Sequence, residues 1–192
     1  MKPLSIQIHP DDEYALENEN EFGKNEMWYV VDCEPGAYLY CGLSRDASKE
    51  EIRKRIENNT ITEIFNKIEV SKGDCVMVKA GTIHAIGAGI LICEIQQNSN
   101  CTYRMYDYDR RDKFGNKREL HVDKALDVVD TKRYVPYESS SNAYDEALNE
   151  AAATIEADSS EGQLLVSCKY FECYKYDISD SVSVSYTHLT LP

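Results

Sequence analysis

Between Leu4 and His9 the residues alternate, with Leu4, Ile6 and Ile8 on one side of an extended chain and Ser5, Gln7 and His9 on the other. That period of two demands a strand, and its polar side is the unusual one. Met27 to Asp32 and Tyr38 to Gly42 read as two further strands joined through Glu34-Pro35-Gly36. Cys75 to Lys79, Ile90 to Gln97 and Thr102 to Asp107 follow the same pattern, rich in β-branched and aromatic residues. Many short strands with glycine-containing turns point to an antiparallel sandwich or barrel rather than to βαβ units.

Helices are few. Ser48 with Glu51 three residues on makes a capping box, and Ile52 and Ile56 stripe the helix that follows. Glu119 to Asp130 predicts an amphipathic helix with Leu120, Ala125, Leu126 and Val129 toward the core, whereas Asp11 to Asn20 reads as an acidic loop. Ser139 to Ser141 leads into the alanine- and glutamate-rich stretch Asn142 to Asp158, a surface helix or linker. Leu164 to Ile178 returns to strand character, with too few strands to close a second sheet.

The balance of charge narrows the partners. Lysine and arginine number 21 against 34 acidic residues, a net charge of −13. A surface that acidic repels nucleic-acid backbones and anionic lipid. No apolar run approaches the roughly 20 residues of a membrane span, and the start of the chain lacks the order of a signal peptide, so a cytoplasmic setting is expected. The seven cysteines are odd in number, show no C-x-x-C pair and read as reduced core residues.

Gln7 and His9, two apart on one strand, point to the same face and can share a ligand. Glu26 at the start of the next strand and His84 after the Gly-Asp strand add a carboxylate and a second imidazole, and such nitrogen and oxygen donors hold zinc. By strand patterning alone these residues read as hydrogen-bonded surface groups. His121 and His188 fall on the predicted helix and in the tail, where capping or solvent-facing roles are expected.

The segments that hold these residues resemble one family, the bacterial-type mannose-6-phosphate isomerases of the cupin fold. The resemblance runs through LSIQIHPDDEYA (4–15), GKNEMWYVVD (23–32), the stretch from Gly73 to Arg110, and RELHVDKA (118–125). Ser5, Gln7 and His9 fit S-x-Q-x-H, Lys24 and Glu26 fit K-x-E, and Ala80 to Ala85 fit P-x-G-T-x-H-A, with Lys79 and Ala80 where a proline and a small residue are usual. The resemblance implies one zinc ion on Gln7, His9, Glu26 and His84. It implies interconversion of mannose 6-phosphate and fructose 6-phosphate through a cis-enediol, with Arg104 stabilising the enediolate and Glu94 and Lys24 in the active site. Lys24, Glu94 and a zinc-bound water all stay open as the group that removes the C2 proton.

Ser5 and the basic cluster Arg110, Arg111 and Lys113 are candidates for the phosphate, the cluster reading equally well as a solvated turn, and Tyr103, Tyr106 and Tyr108 could line a sugar pocket. The expected partner is a small sugar phosphate. A noncatalytic cupin that binds a sugar phosphate or metal for regulation is the competing reading, because the fold hosts many functions.

The expected organisation is mainly β. A metal-binding cupin jelly roll spans 1–130 with a helical insert over 46–68, followed by a helical linker over 131–162. A second jelly roll begins over 163–180, and a tail over 181–192 lies outside the fold. By resemblance the chain corresponds to a fragment without the family's N-terminal strands and most of its second jelly roll.

Overall fold

The structure, a computed structural model, describes residues 4–136 and 162–178 together with the strands Ile155–Glu156 and Ser183–Val184. The chain divides into two units, Met1–Tyr137 and Glu138–Pro192.

The first unit contains eight strands: β1 (Ile6–Ile8), β2 (Glu26–Cys33), β3 (Tyr38–Leu43), β4 (Phe65–Glu69), β5 (Cys75–Val78), β6 (His84–Ile86), β7 (Ile90–Gln96) and β8 (Tyr103–Tyr106). They form a five-stranded sheet in the order β4-β3-β6-β1-β8 and a three-stranded sheet in the order β5-β2-β7, with every pairing antiparallel. Trp28 and Val30 from β2, Val76 and Val78 from β5, and Leu39 and Cys41 from β3 meet in one buried cluster between the sheets. This is the antiparallel jelly roll expected of the alternation.

The second cluster lies on the opposite face of the larger sheet. Ile6, Ile8, Ala85, Tyr103 and Met105 project there and pack against Ile52 and Ile56 of helix α2 (Lys49–Glu57) and Ala125 and Leu126 of helix α3 (Val122–Val128). Ser48 caps α2 by accepting from the Glu51 amide at 3.1 Å, as the capping box requires. The alternation of β1 therefore sends its aliphatic residues outward under the helices and its polar residues toward the interior between the sheets.

Several expectations change. Asp11 to Asn20 is not a loop but carries helix α1 (Asp12–Glu19), capped by the Asp11 carboxylate on the Tyr14 amide and closed by Asn20 in the left-handed region. It buries only Ala15, so its sequence has no apolar stripe to announce it. The segment 46–68, expected as a helical insert, carries α2, tightens into a 3-10 turn at Ile61–Ile64 and becomes edge strand β4 from Phe65. Helix α3 is shorter than Glu119 to Asp130, and Leu120 stays outside it and exposed. All seven cysteines are free, but Cys93 is exposed and Cys33 and Cys75 are partly so.

In the second unit, β10 (Gln163–Ser167) pairs with β11 (Glu172–Lys175) as one hairpin, and β9 (Ile155–Glu156) pairs with β12 (Ser183–Val184). The ladder of β9 and β12 draws one residue pair from the expected helical linker and one from the expected tail. Linker residues 137–154 and 157–161 and tail residues 181–182 and 185–192 lie outside the described residues.

Candidate metal centre

Cross-strand register assembles the site. Gln7 stands opposite His84 on one side and Arg104 on the other, so three polar side chains of adjacent strands share the inner face of the large sheet. Glu26 opens β2 in the facing sheet, between Val78 and Gln96. His9, Glu26 and His84 are each no more than 1% exposed, and their ligating atoms all lie within 4.8 Å of one another.

The ring hydrogen bonds set which nitrogen faces inward. His9 Nδ1 lies 2.7 Å from the Cys101 carbonyl and His84 Nδ1 lies 2.8 Å from the Thr82 carbonyl. A carbonyl only accepts, so each Nδ1 carries a proton and donates it, and Nε2 is the nitrogen that offers a lone pair when the ring is neutral. His9 Nε2 is 3.1 Å from Glu26 Oε1, and His84 Nε2 is 3.7 Å from Glu26 Oε2 and 3.4 Å from Gln7 Nε2. An amide flip would present the Gln7 oxygen at the same point.

Two of these buried atoms, His9 Nε2 and Glu26 Oε2, have no hydrogen-bond partner. Leaving such atoms unpaired costs about 1–3 kcal/mol each, and one cation among them satisfies both. Two neutral imidazoles, one carboxylate and an amide oxygen suit zinc in charge and softness. The residues fit the metal that the sequence pattern calls for.

Lys24 reaches the site from the segment before β2. Its Nζ lies 2.7 Å from Glu26 Oε1 and 3.9 Å from Glu94 Oε1, with the side chain about 10% exposed. The segment is pinned at several points. Lys24 N donates to the Pro10 carbonyl, Asn25 donates twice to the Gln97 amide oxygen, and Ala80 N donates to the Asn25 side-chain oxygen. Gly23 is obligatory here, since a Cβ would stand 2.3 Å from the Asp11 carbonyl carbon. Asn25 and Gln97 escaped the sequence reading because neither residue type marks a brace.

Burial pushes Glu26 upward, but the neighbouring His9, His84 and Lys24 outweigh it and hold the carboxyl below its ordinary range. Burial, then the neighbouring His9, push His84 down to about 4, which keeps the His84 imidazole neutral and able to ligate. Burial and the Glu26 charge raise Glu94. Trp28, cross-strand from Glu94, stands edge-on to His84 with ring centroids 5.3 Å apart, a packing role as its residue type suggests.

Other sequence candidates fall differently. Ser5 is buried just before β1. Arg110 pairs with buried Asp107, which Arg118 also holds, and its guanidinium lies over Tyr108 at 5.3 Å. Arg111 and Lys113 belong to an exposed turn closed by Asp112, which matches the solvated-turn reading. Tyr103 and Tyr106 are not on the side of Arg104. A register shift between Ile6 and Gln7 turns Tyr106 to the outer cluster, and the Tyr103 hydroxyl donates to Glu19 at 2.8 Å.

An antiparallel jelly roll with two inward-facing histidines and a glutamate at one end is the architecture of a cupin with a possible metal site. No protein-family model matches the chain. The mannose-6-phosphate isomerase of Streptococcus mutans is 41% identical over 184 residues, covering 96% of this chain and 54% of that protein. The crystal structure of the Bacillus subtilis mannose 6-phosphate isomerase superposes with a TM-score of 0.77 at 36% identity, over 93% of this chain and 53% of that one. A zinc-bound mannose 6-phosphate isomerase structure shares the fold at a TM-score of 0.51 and 12% identity, over 69% of this chain and 52% of that one. The chain is similar to mannose-6-phosphate isomerases along nearly its whole length and spans about half the length of the curated relatives it matches. Among the described residues no helix is long and apolar enough to cross a membrane.

Proposed function

We propose that this chain carries the metal-bearing part of a zinc-dependent aldose–ketose isomerase that interconverts mannose 6-phosphate and fructose 6-phosphate. The observation that supports it most is the buried His9–Glu26–His84 cluster, with both Nε2 lone pairs facing the carboxylate and Lys24 alongside. Gln7, His9, Glu26 and His84 would hold one zinc ion. The ion would supply Lewis-acid stabilisation of charge on a substrate oxygen.

The chain's own residues account for the rest. Isomerisation through a cis-enediol moves a proton between C1 and C2, and negative charge grows on an oxygen as it does so. Arg104, cross-strand from Gln7 and with its buried Nε free of any partner, is placed to receive that charge. Lys24 and Glu94, 3.9 Å apart beside Glu26, are the groups placed to hold and move a proton, Glu94 helped by its raised pKa. Ser5 and Arg110 are assigned to the phosphate end. Inside an acidic shell, Lys24, Arg104 and the metal make a local positive site for a small phosphate ester.

The test is bound zinc and coupled turnover of mannose 6-phosphate, compared among the unaltered protein, His84→Ala and Arg104→Ala. His84→Ala is expected to lose zinc and turnover together, while Arg104→Ala keeps zinc and loses about 100-fold or more in kcat. Well-folded protein that takes up no zinc would sink the site assignment. Full zinc with no turnover would sink the isomerase.

A further inference from the structure

Strand β8, which carries Arg104, is an edge of the five-stranded sheet. The peptide groups that Arg104 turns away from β1 are taken up by the segment before α3. His121 N donates to the Arg104 carbonyl at 2.8 Å, and Arg104 N donates back to His121 Nδ1 at 3.1 Å. Arg104 Nη1 donates to the Glu119 carbonyl at 2.9 Å. Three atoms of one arginine are therefore held by two residues, Glu119 and His121.

That segment is itself fixed at both ends. Arg118 donates through Nε to the buried Asp107 carboxylate at 2.8 Å, and the His121 carbonyl accepts from Ala125 N at 2.9 Å in the first turn of α3. Because a backbone N–H needs a lone pair, Nδ1 of His121 is unprotonated and the ring proton sits on Nε2. With the backbone and Nη1 committed, Nε is left as the buried, unpartnered donor.

We propose that His121 is a positioning residue for Arg104, using its Nδ1 lone pair to fix the strand edge so that the guanidinium meets an anionic oxygen of a sugar phosphate. The inference rests on the reading of Arg104 given above and deepens it. Histidine is the residue type that supplies a side-chain acceptor there while its backbone completes the ladder, and the RELH segment, opaque in the sequence, acquires a task. Misplacement of a charge-stabilising group by a fraction of an ångström is costly, on the order of 100-fold per ångström.

The experiment compares His121→Asn, whose side-chain oxygen can replace Nδ1, with His121→Phe, which keeps a ring and loses the acceptor. His121→Ala takes the place of His121→Phe if that variant does not fold. Amide hydrogen exchange at Arg104, zinc content and the kcat and KM for mannose 6-phosphate are read on each full chain. The expected result is at least about tenfold faster Arg104 exchange in the Phe variant, with zinc unchanged, kcat down about tenfold or more and KM nearly unchanged. The Asn variant should restore both exchange and kcat. Arg104 exchange in the Phe variant equal to that of the unaltered protein, or equal impairment of Asn and Phe, overturns the proposal. If the unaltered protein binds zinc but turns over no substrate, the isomerase reading fails, and exchange at Arg104 alone then decides whether His121 braces it.

Discussion

The two faces of strand β1 invert the usual division of a β-sandwich. Toward the helices, Ile6 and Ile8 are fully buried in an apolar cluster, and toward the interior between the sheets Gln7 and His9 join Glu26 and His84 around unpaired polar atoms. One face contributes burial, about 25 cal/mol per Å² of apolar surface removed from water. The other gives up burial to hold donors that only a ligand satisfies. Four consecutive residues, Ile6 to His9, thus separate stability from chemistry, and substitutions on the two faces should separate as well.

The largest effect is expected inside. His9→Ala removes a donor whose orientation the Cys101 carbonyl fixes, and zinc affinity should fall beyond the roughly 100-fold that loss of an outer partner of a metal ligand costs. Competition with a chelator measures it, and circular dichroism should show the fold intact. Unchanged zinc affinity would mean that the inner face is not the metal site.

Ile8→Ala, one residue away, should do the reverse. Deleting a fully buried aliphatic side chain beneath the helices costs about 3 kcal/mol of stability. Urea unfolding reads that loss, and zinc bound per folded molecule should not change. A loss of zinc in folded Ile8→Ala protein would show that the two faces are coupled through the strand.

A smaller effect falls at the edge of the same sheet, where burial raises the Asp107 carboxyl but Arg118 and Arg110 outweigh it and hold it below its ordinary value. Its folded pKa is depressed, so the stability it contributes is present above the unfolded carboxyl value near 4 and is lost as pH falls through the folded value. Asp107→Asn should cost about 2 kcal/mol at pH 7, and the gap in urea midpoint from the unaltered protein should close as pH falls below the unfolded carboxyl value near 4. A gap that stays constant over that range would mean the carboxylate charge contributes nothing.

Legibility followed the range of the interactions. The period of two at β1, the capping box at Ser48 and the stripe of Ile52 and Ile56 are local, and each element formed where those residues stand. Helix α1 was not legible, because a helix that buries only Ala15 leaves no periodic trace. The donors Gln7, His9, Glu26 and His84 stood out as residue types, but their convergence depends on the pairing of Gln7 with His84 and on the packing of one sheet against another. Tyr106 shows the reverse case, a candidate for the sugar pocket that an extra residue of β8 opposite Ile6 and Gln7 turns to the outer cluster.

By itself the sequence determined that this chain makes an antiparallel β fold, which residues form six of the eight strands of its first unit, and which donor types are available to a metal. Those properties arise from side-chain periodicity and residue chemistry, and both are written residue by residue. Only the tertiary structure decided that the polar face of β1 looks inward and that each histidine presents Nε2. It alone brought Arg104 under the hold of Glu119 and His121. Those outcomes turn on backbone carbonyls and amides such as those of Cys101, Thr82 and Arg104, which every residue type carries alike, so no residue identity announces them before the chain folds.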